Sequence, residues 1–304
     1  MVEKKHISVV IPLYNKASSI EKSIKAVLSQ TFASFEIIVV NDGSTDNSIE
    51  VVNSIKDERI RIINKKNGGV SSARNRGILE ANTEYIAFLD ADDYWHQDYL
   101  REMYQLIQDF PEASIYGCAY DWVERGVLKS VDFHLPTLYR GIIENYFQIA
   151  LEHLLYWTSA VIVRKKSILQ IGSFDERISV GEDLDVWFRL NRKYKGAFYN
   201  KPLAYYNMDG PNRAMNKKHD YKKSIMYYLD KYKIEDGSSN DFEKFIHTFR
   251  AAKIMDLLAN YDIDKKDLRN YISGIDFSVL SWKWKLYRKM SFFMKKYIAS
   301  FYNR

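Results

Sequence analysis

Asp90, Asp92 and Asp93 crowd three carboxylates into four residues, directly behind the apolar run Tyr85-Ile86-Ala87-Phe88-Leu89. Like charges this close repel one another unless a cation sits between them. Oxygen ligands of this kind suit Mg²⁺ or Mn²⁺, the hard ions that accompany phosphate substrates. The run itself is short, β-compatible and too apolar for an exposed strand, so it reads as a buried parallel strand. Open α/β sheets place their ligands at the carboxyl ends of such strands. A lone D-x-D would be no more than an acidic turn, and the segments before it make the difference.

Four apolar segments occur by residue 90, at 7–13, 35–40, 60–63 and 85–89. Helical patterns separate them. Ser18 and Glu21 are spaced as a capping box, followed by Ile20, Ile24, Val27 and Leu28 at helical spacing. Ile49, Val52 and Ile55 form the next stripe; Ala73, Ile78 and Leu79 form the third. This alternation predicts a parallel, helix-covered sheet with its strand ends side by side. At those ends stand Pro12-Leu13-Tyr14-Asn15, then Asn41-Asp42-Gly43-Ser44-Thr45-Asp46, then Asn67-Gly68-Gly69 leading to Arg74, then the acidic cluster. A carboxylate there can grip a ribose or base, and Arg74 can meet a phosphate or stack on a base. A helix N-terminus beside a phosphate is physically apt. Neither G-x-G-x-x-G nor G-x-x-x-x-G-K-[ST] is present, so the dinucleotide fingerprint and the P-loop are both excluded.

The runs I-S-V-V-I-P-L-Y-N, E-I-I-V-V-N-D-G-S-T-D, N-G-G-V-S-S-A-R-N-R-G and F-L-D-A-D-D, in that order, resemble a family 2 glycosyltransferase. They cover residues 7–93, and a fifth match lies near residue 182. The resemblance implies a GT-A fold: an α/β, Rossmann-like, mostly parallel sheet flanked by helices, here with a mainly helical C-terminal extension. It implies a nucleotide-sugar donor and transfer with inversion. By the same resemblance Asp92 is the direct metal ligand, and Asp90 touches the ribose or supports the metal through water. Asp93 is either a partner of that ligand or a solvated turn residue. Asp42 holds the base edge, and Pro12, Tyr14, Asn15 and Arg74 complete the donor pocket.

An inverting enzyme needs a carboxylate base on the face opposite the leaving group. Glu182-Asp183 resembles the acidic pair of the family, whose Asp is generally the base. Asp183 therefore takes that role, with Glu182 orienting it or touching the acceptor. Taken alone, the same pair would be an acidic helix start that complements the helix dipole. Arg189 is placed to pair with one carboxylate of the stretch Glu182-Asp183-Leu184-Asp185 and to face the acceptor. Residues 157–164 read as a buried strand with a polar entry. Trp157 reads equally as an acceptor platform and as core packing. Arg213 and His219 are candidate phosphate or metal partners.

The 304 residues exceed one typical domain. The expected division is a GT-A catalytic domain at 1–215, with a donor half at 1–93 and an acceptor half at 94–215. A helical region follows at 216–304, with helical patterns at 221–232 and 242–258. The single cysteine, Cys118, rules out an intrachain disulfide and suits a reduced, cytoplasmic setting. The first strand starts almost at once, which leaves no room for a signal peptide, and no apolar run is long enough to span a membrane. Seven of the 45 Lys and Arg lie in 279–304, which holds no Asp or Glu, so the +6 excess resides there. Aromatic and aliphatic residues at helical spacing run through that tail. It reads either as an amphipathic helix on an anionic membrane surface or as a helix packed on the catalytic domain. No nucleic-acid recognition module is present.

These features predict a metal-dependent transferase of the hexosyltransferase class. It would use Mn²⁺ or Mg²⁺ and move a sugar from a nucleoside-diphosphate donor, UDP first, to a glycan or lipid-linked saccharide in cell-surface polysaccharide biosynthesis. A nucleotidyltransferase and a non-catalytic sugar-nucleotide-binding subunit are the alternatives.

Overall fold

The computed structural model describes residues 5–209, 219–232 and 240–280. The proposed boundary at 215, Arg213, and the tail beyond 280 lie outside the described residues. The chain divides into two compact units. The first holds residues 1–146, 153–176 and 183–211, and the second holds 147–152, 177–182 and 212–304.

The first unit opens with β1 (Ile7–Leu13), α1 (Ile20–Leu28), β2 (Phe35–Asn41), α2 (Ser48–Ser54), β3 (Ile60–Asn64), α3 (Val70–Glu80) and β4 (Tyr85–Phe88). The four strands are parallel in the order β3-β2-β1-β4. All seven residues of β2 and all four of β4 are buried. Strands covered on both faces favour near-continuous apolar runs, which is why these runs do not alternate. Gly77 lets α3 lie close to the sheet, since a Cβ there would stand 2.3 Å from Val10 Cγ1.

The sheet continues through β5 (Tyr94–Trp95), α4 (Tyr99–Asp109), β6 (Ala113–Glu124), β7 (Val127–Ser130) and β8 (Arg140–Ile143). After α5 (Tyr146–Ile149) come β9 (Val161–Arg164), α6 (Lys165–Gln170), α7 (Glu182–Lys193) and β10 (Lys195–Asn207). The path is β3-β2-β1-β4-β9-β6-β10-β5, with β7 beside β6 and β8 beside β10. β9 runs antiparallel to both β4 and β6, so the sheet is mixed beyond its parallel first half. Cys118 is buried in β6, and burial pushes its thiol up.

In the second unit β11 (His219–Asp220) pairs with β12 (Tyr261–Asp262), beside α8 (Asn240–Asn260) and α9 (Lys265–Ser273). Phe147 meets Phe242 at 4.8 Å in this unit's core. His219 packs against Tyr261 here, 5.5 Å between ring centroids. No described helix is long and apolar enough to cross a membrane.

Four local expectations change. The capping box does not form. Ser19, not Ser18, stands at the N-cap of α1; its side chain makes no cap hydrogen bond, and its hydroxyl donates to the Ala91 carbonyl at 2.9 Å. Leu79 is 67% exposed, because the buried face of α3 is Ser71, Ala73, Arg74, Gly77 and Ile78. The polar entry before β9 is a 3-10 turn, Thr158–Ala160, and the strand starts only at Val161. Residues 221–232 hold two short 3-10 turns, Tyr221–Lys223 and Leu229–Lys231, rather than a helix.

Candidate functional site

The parallel half of the sheet brings the four polar turns to one edge, and side chains then cross-link them. Asn15 sits at φ 51°, a left-handed conformation that Asn tolerates. Its Oδ1 accepts from the N–H groups of Thr45 at 2.8 Å and Asp46 at 3.3 Å, clasping the turn after β2. Asp42 is buried, and its carboxylate accepts from the N–H groups of Gly68 at 2.9 Å and Gly69 at 2.8 Å and from Lys65. A carboxylate has about four acceptor positions, so Asp42 fixes the glycine loop that leads into α3 with three of them. Pro12 is half-buried and Tyr14 is 48% exposed at the same edge.

The three aspartates separate in role. Asp92 pairs with Lys16, a cation standing directly behind P-L-Y-N whose part the sequence did not reveal. Asp90 accepts from Arg74 Nη2 at 2.7 Å. Arg74 is only 3% exposed, so it is no surface side chain. Asp93 is 1% exposed and is neither a solvated turn residue nor available to a ligand. Its Oδ2 accepts from the Ser159 hydroxyl at 2.7 Å and its Oδ1 from the Asn207 N–H at 3.1 Å. Burial, then the charges of Asp90 and Asp92, hold its carboxyl well above the usual range.

Asp183 is the second residue of α7, with part of its surface exposed, while its carboxyl is packed among protein atoms. Its Oδ2 accepts from the Thr158 hydroxyl at 3.2 Å and its Oδ1 from the Leu184 N–H at 2.8 Å. Burial pushes this carboxyl up. The Arg74 charge and the two hydrogen bonds pull it down, and Asp90 adds an upward push. Arg74 thus acts on both the acidic turn and Asp183. The Thr158–Ala160 turn links the same two places. Thr158 holds Asp183, while the Ser159 hydroxyl holds Asp93 and accepts from the Asp90 N–H at 3.1 Å. Its only trace in the sequence is a pair of hydroxyl residues ahead of an apolar run.

With Asp183 as the expected base, the Thr158 hydroxyl would position its raised carboxyl. Thr158→Val is expected to cut kcat about tenfold with donor KM unchanged. The acid limb of the pH–rate profile should move to higher pH, because a bond favouring the carboxylate is gone. Thr158→Ser should restore both. An unmoved limb would leave Thr158 with a packing role only.

The family 2 glycosyl transferase description fits residues 8–177 of the 304. The chain belongs to glycosyl transferase family 2. A Rickettsia felis protein named as an uncharacterized glycosyltransferase is 26% identical over 273 residues, 88% of this chain and 44% of that protein. The chondroitin synthase of Pasteurella multocida is 26% identical over 249 residues, 78% of this chain and 24% of the synthase. This family 2 chain therefore spans less than half the length of either relative. The S. aureus TarS 1–349 structure in complex with UDP-GlcNAc superposes with a TM-score of 0.69 at 16% identity, covering 90% of this chain and 82% of TarS 1–349. At that identity the likeness carries the GT-A fold.

The fold of this family 2 member thus gathers Pro12, Tyr14, Asn15, Asp42, Arg74, Asp90, Asp92 and Asp183 in one unit, on the sheet edge and the turns linked to it. Trp157 joins them through Thr158, and its ring lies 4.8 Å from Tyr120 and 4.9 Å from Tyr206. Glu182 is the first residue of α7. Arg189 does not pair with Asp183. It binds Asp185 at 2.6 Å and the carbonyls of Ile171 and Ser173, tying α7 to that loop. No cluster of three acidic, His or Cys groups able to hold a metal occurs among the described residues. A Mg²⁺-type ion needs no such cage, since one or two carboxylates plus substrate phosphates suffice. Asp92 and Asp90, whose side chains keep 21% and 29% of their surface exposed, fit that requirement.

Proposed function

We propose that this chain is an inverting glycosyltransferase that moves a sugar from a UDP-linked donor to a hydroxyl of a growing glycan. The observation that carries the reading is Asp183. It is a carboxyl raised by burial, oriented by Thr158, and joined electrostatically through Arg74 to the acidic turn of the donor motifs. Asp183 would take the proton of the acceptor hydroxyl as its oxygen attacks the anomeric carbon. The bond from that carbon to the donor diphosphate breaks, and the charge leaves with the diphosphate. Arg74 and Lys16, the cations paired with Asp90 and Asp92, would meet that charge. Asp92 would hold a Mn²⁺ or Mg²⁺ ion together with the diphosphate, where the ion neutralises developing negative charge.

The named activity of the chondroitin synthase and the UDP-GlcNAc bound to TarS make polysaccharide synthesis and UDP-N-acetylhexosamines the first choices. The basic 279–304 segment extends the proposal to a peripheral place on the cytoplasmic membrane face with a lipid-linked acceptor.

Calorimetric titration of the purified chain with UDP, UDP-sugars and nucleoside triphosphates, with and without Mn²⁺, tests the reading. Binding of a UDP species strengthened by Mn²⁺ is expected. Preference for triphosphates would point to nucleotidyl transfer, and no binding of any nucleoside diphosphate would overturn the proposal.

A further inference from the structure

Asp90 and Asp92 each face a cation, and the two pairs are built differently. Arg74 Nη2 reaches Asp90 at 2.7 Å from a side chain that is 3% exposed and whose Cζ lies 5.3 Å from the Phe174 ring centroid. Pulling such a guanidinium away would leave an uncompensated buried charge, so this pair is fixed. Lys16 and Asp92 keep 24% and 21% of their side-chain surface exposed. A pair this open to water is weakly held, and an ammonium on a four-carbon stem can turn to another partner.

The backbone around Lys16 does not share that freedom. The Lys16 N–H donates to the Ser48 hydroxyl at 2.9 Å. The Lys16 carbonyl accepts from the N–H groups of Ser19 at 3.1 Å and Ile20 at 3.0 Å. The Ser19 hydroxyl in turn donates to the Ala91 carbonyl at 2.9 Å, one residue before Asp92. These bonds tie the start of α1 to the acidic turn, and the freedom lies in the Lys16 side chain alone.

We infer that the Lys16 ammonium and a divalent ion compete for Asp92, and that the donor diphosphate decides the competition by drawing the ammonium to itself. The inference rests on the reading of Asp92 as the metal-holding carboxylate. Two cations that seek the same carboxylate repel each other, so an ion arriving alone must displace Lys16. An ion arriving with a diphosphate meets less opposition, because the phosphate oxygens offer the ammonium a charged acceptor. By linkage, metal and diphosphate each raise the other's affinity by more than their direct contact supplies. Lys16 would thus keep Asp92 neutralised until the donor arrives, and would disfavour capture of the metal without it.

The full chain as wild type, Lys16→Met, Lys16→Arg and Asp92→Ala should be titrated with Mn²⁺ alone and with Mn²⁺ at saturating UDP. The electron paramagnetic resonance signal of free Mn²⁺ reads the binding. Met preserves the length of the side chain, and a thermal melt checks the fold. Without nucleotide, Lys16→Met should bind Mn²⁺ about five- to tenfold more tightly than wild type. The gain in Mn²⁺ affinity from UDP should shrink in that variant and still persist. Lys16→Arg keeps a cation against Asp92, so its affinity for Mn²⁺ alone should not exceed that of wild type. Equal or weaker binding of Mn²⁺ alone by Lys16→Met, with Mn²⁺ binding at UDP saturation lost in Asp92→Ala, would overturn the competition and leave the metal site standing. A wild type that binds UDP but no Mn²⁺ under either condition would remove the metal role of Asp92, and the competition with it.

Discussion

Asp183→Asn is expected to lower sugar transfer by about 10²–10⁴-fold while leaving UDP affinity unchanged. The replacement is nearly isosteric. The Asn carbonyl oxygen can take the Oδ1 place that accepts from the Leu184 N–H, and its NH₂ group can donate to the Thr158 hydroxyl from the Oδ2 place, so α7 should keep its start. Only the capacity to take a proton is lost. The sign of the pH dependence follows from the same geometry. As the proposed base Asp183 would work as a carboxylate, and burial favours its neutral form, so the rate should climb with pH through a limb above the ordinary carboxylate range. That limb should vanish from the residual rate of the Asn variant. Release of UDP followed across pH, alongside a UDP titration, measures both. Near-normal turnover in Asp183→Asn would remove this residue from the mechanism.

Asp92→Ala should abolish the strengthening of UDP binding by Mn²⁺ and cut turnover by about a hundredfold or more, the scale of metal stabilisation of developing charge. The pair with Lys16 complicates a single substitution, because the Ala variant also releases that ammonium. Lys16→Met supplies the control. It removes the same ion pair but leaves the carboxylate, so the Mn²⁺ effect on UDP binding should persist. Retention of the Mn²⁺ effect in Asp92→Ala would show that the ion sits elsewhere.

The sequence determined the framework because its signals are local. Buried parallel strands require near-continuous apolar runs, and 7–13 matches β1 to the residue. Polar, glycine-containing turns close those runs, so the edge that carries the donor motifs was legible before any coordinates. The carboxylates of that edge were legible as a set, and their division of labour was not. Asp93 turns inward because Ser159 and the Asn207 N–H, 66 and 114 residues away, offer it buried donors. Lys16 finds Asp92 across 76 residues, and Thr158 finds Asp183 across 25. Arg189 could pair with one carboxylate of the acidic stretch, and the helical turn selects Asp185 four residues earlier. Apolar patterning is written residue by residue into the chain, since burial acts on each side chain according to its own surface. Pairing of polar groups depends on which partners the packed strands bring within about 3 Å, and only the tertiary structure decides that.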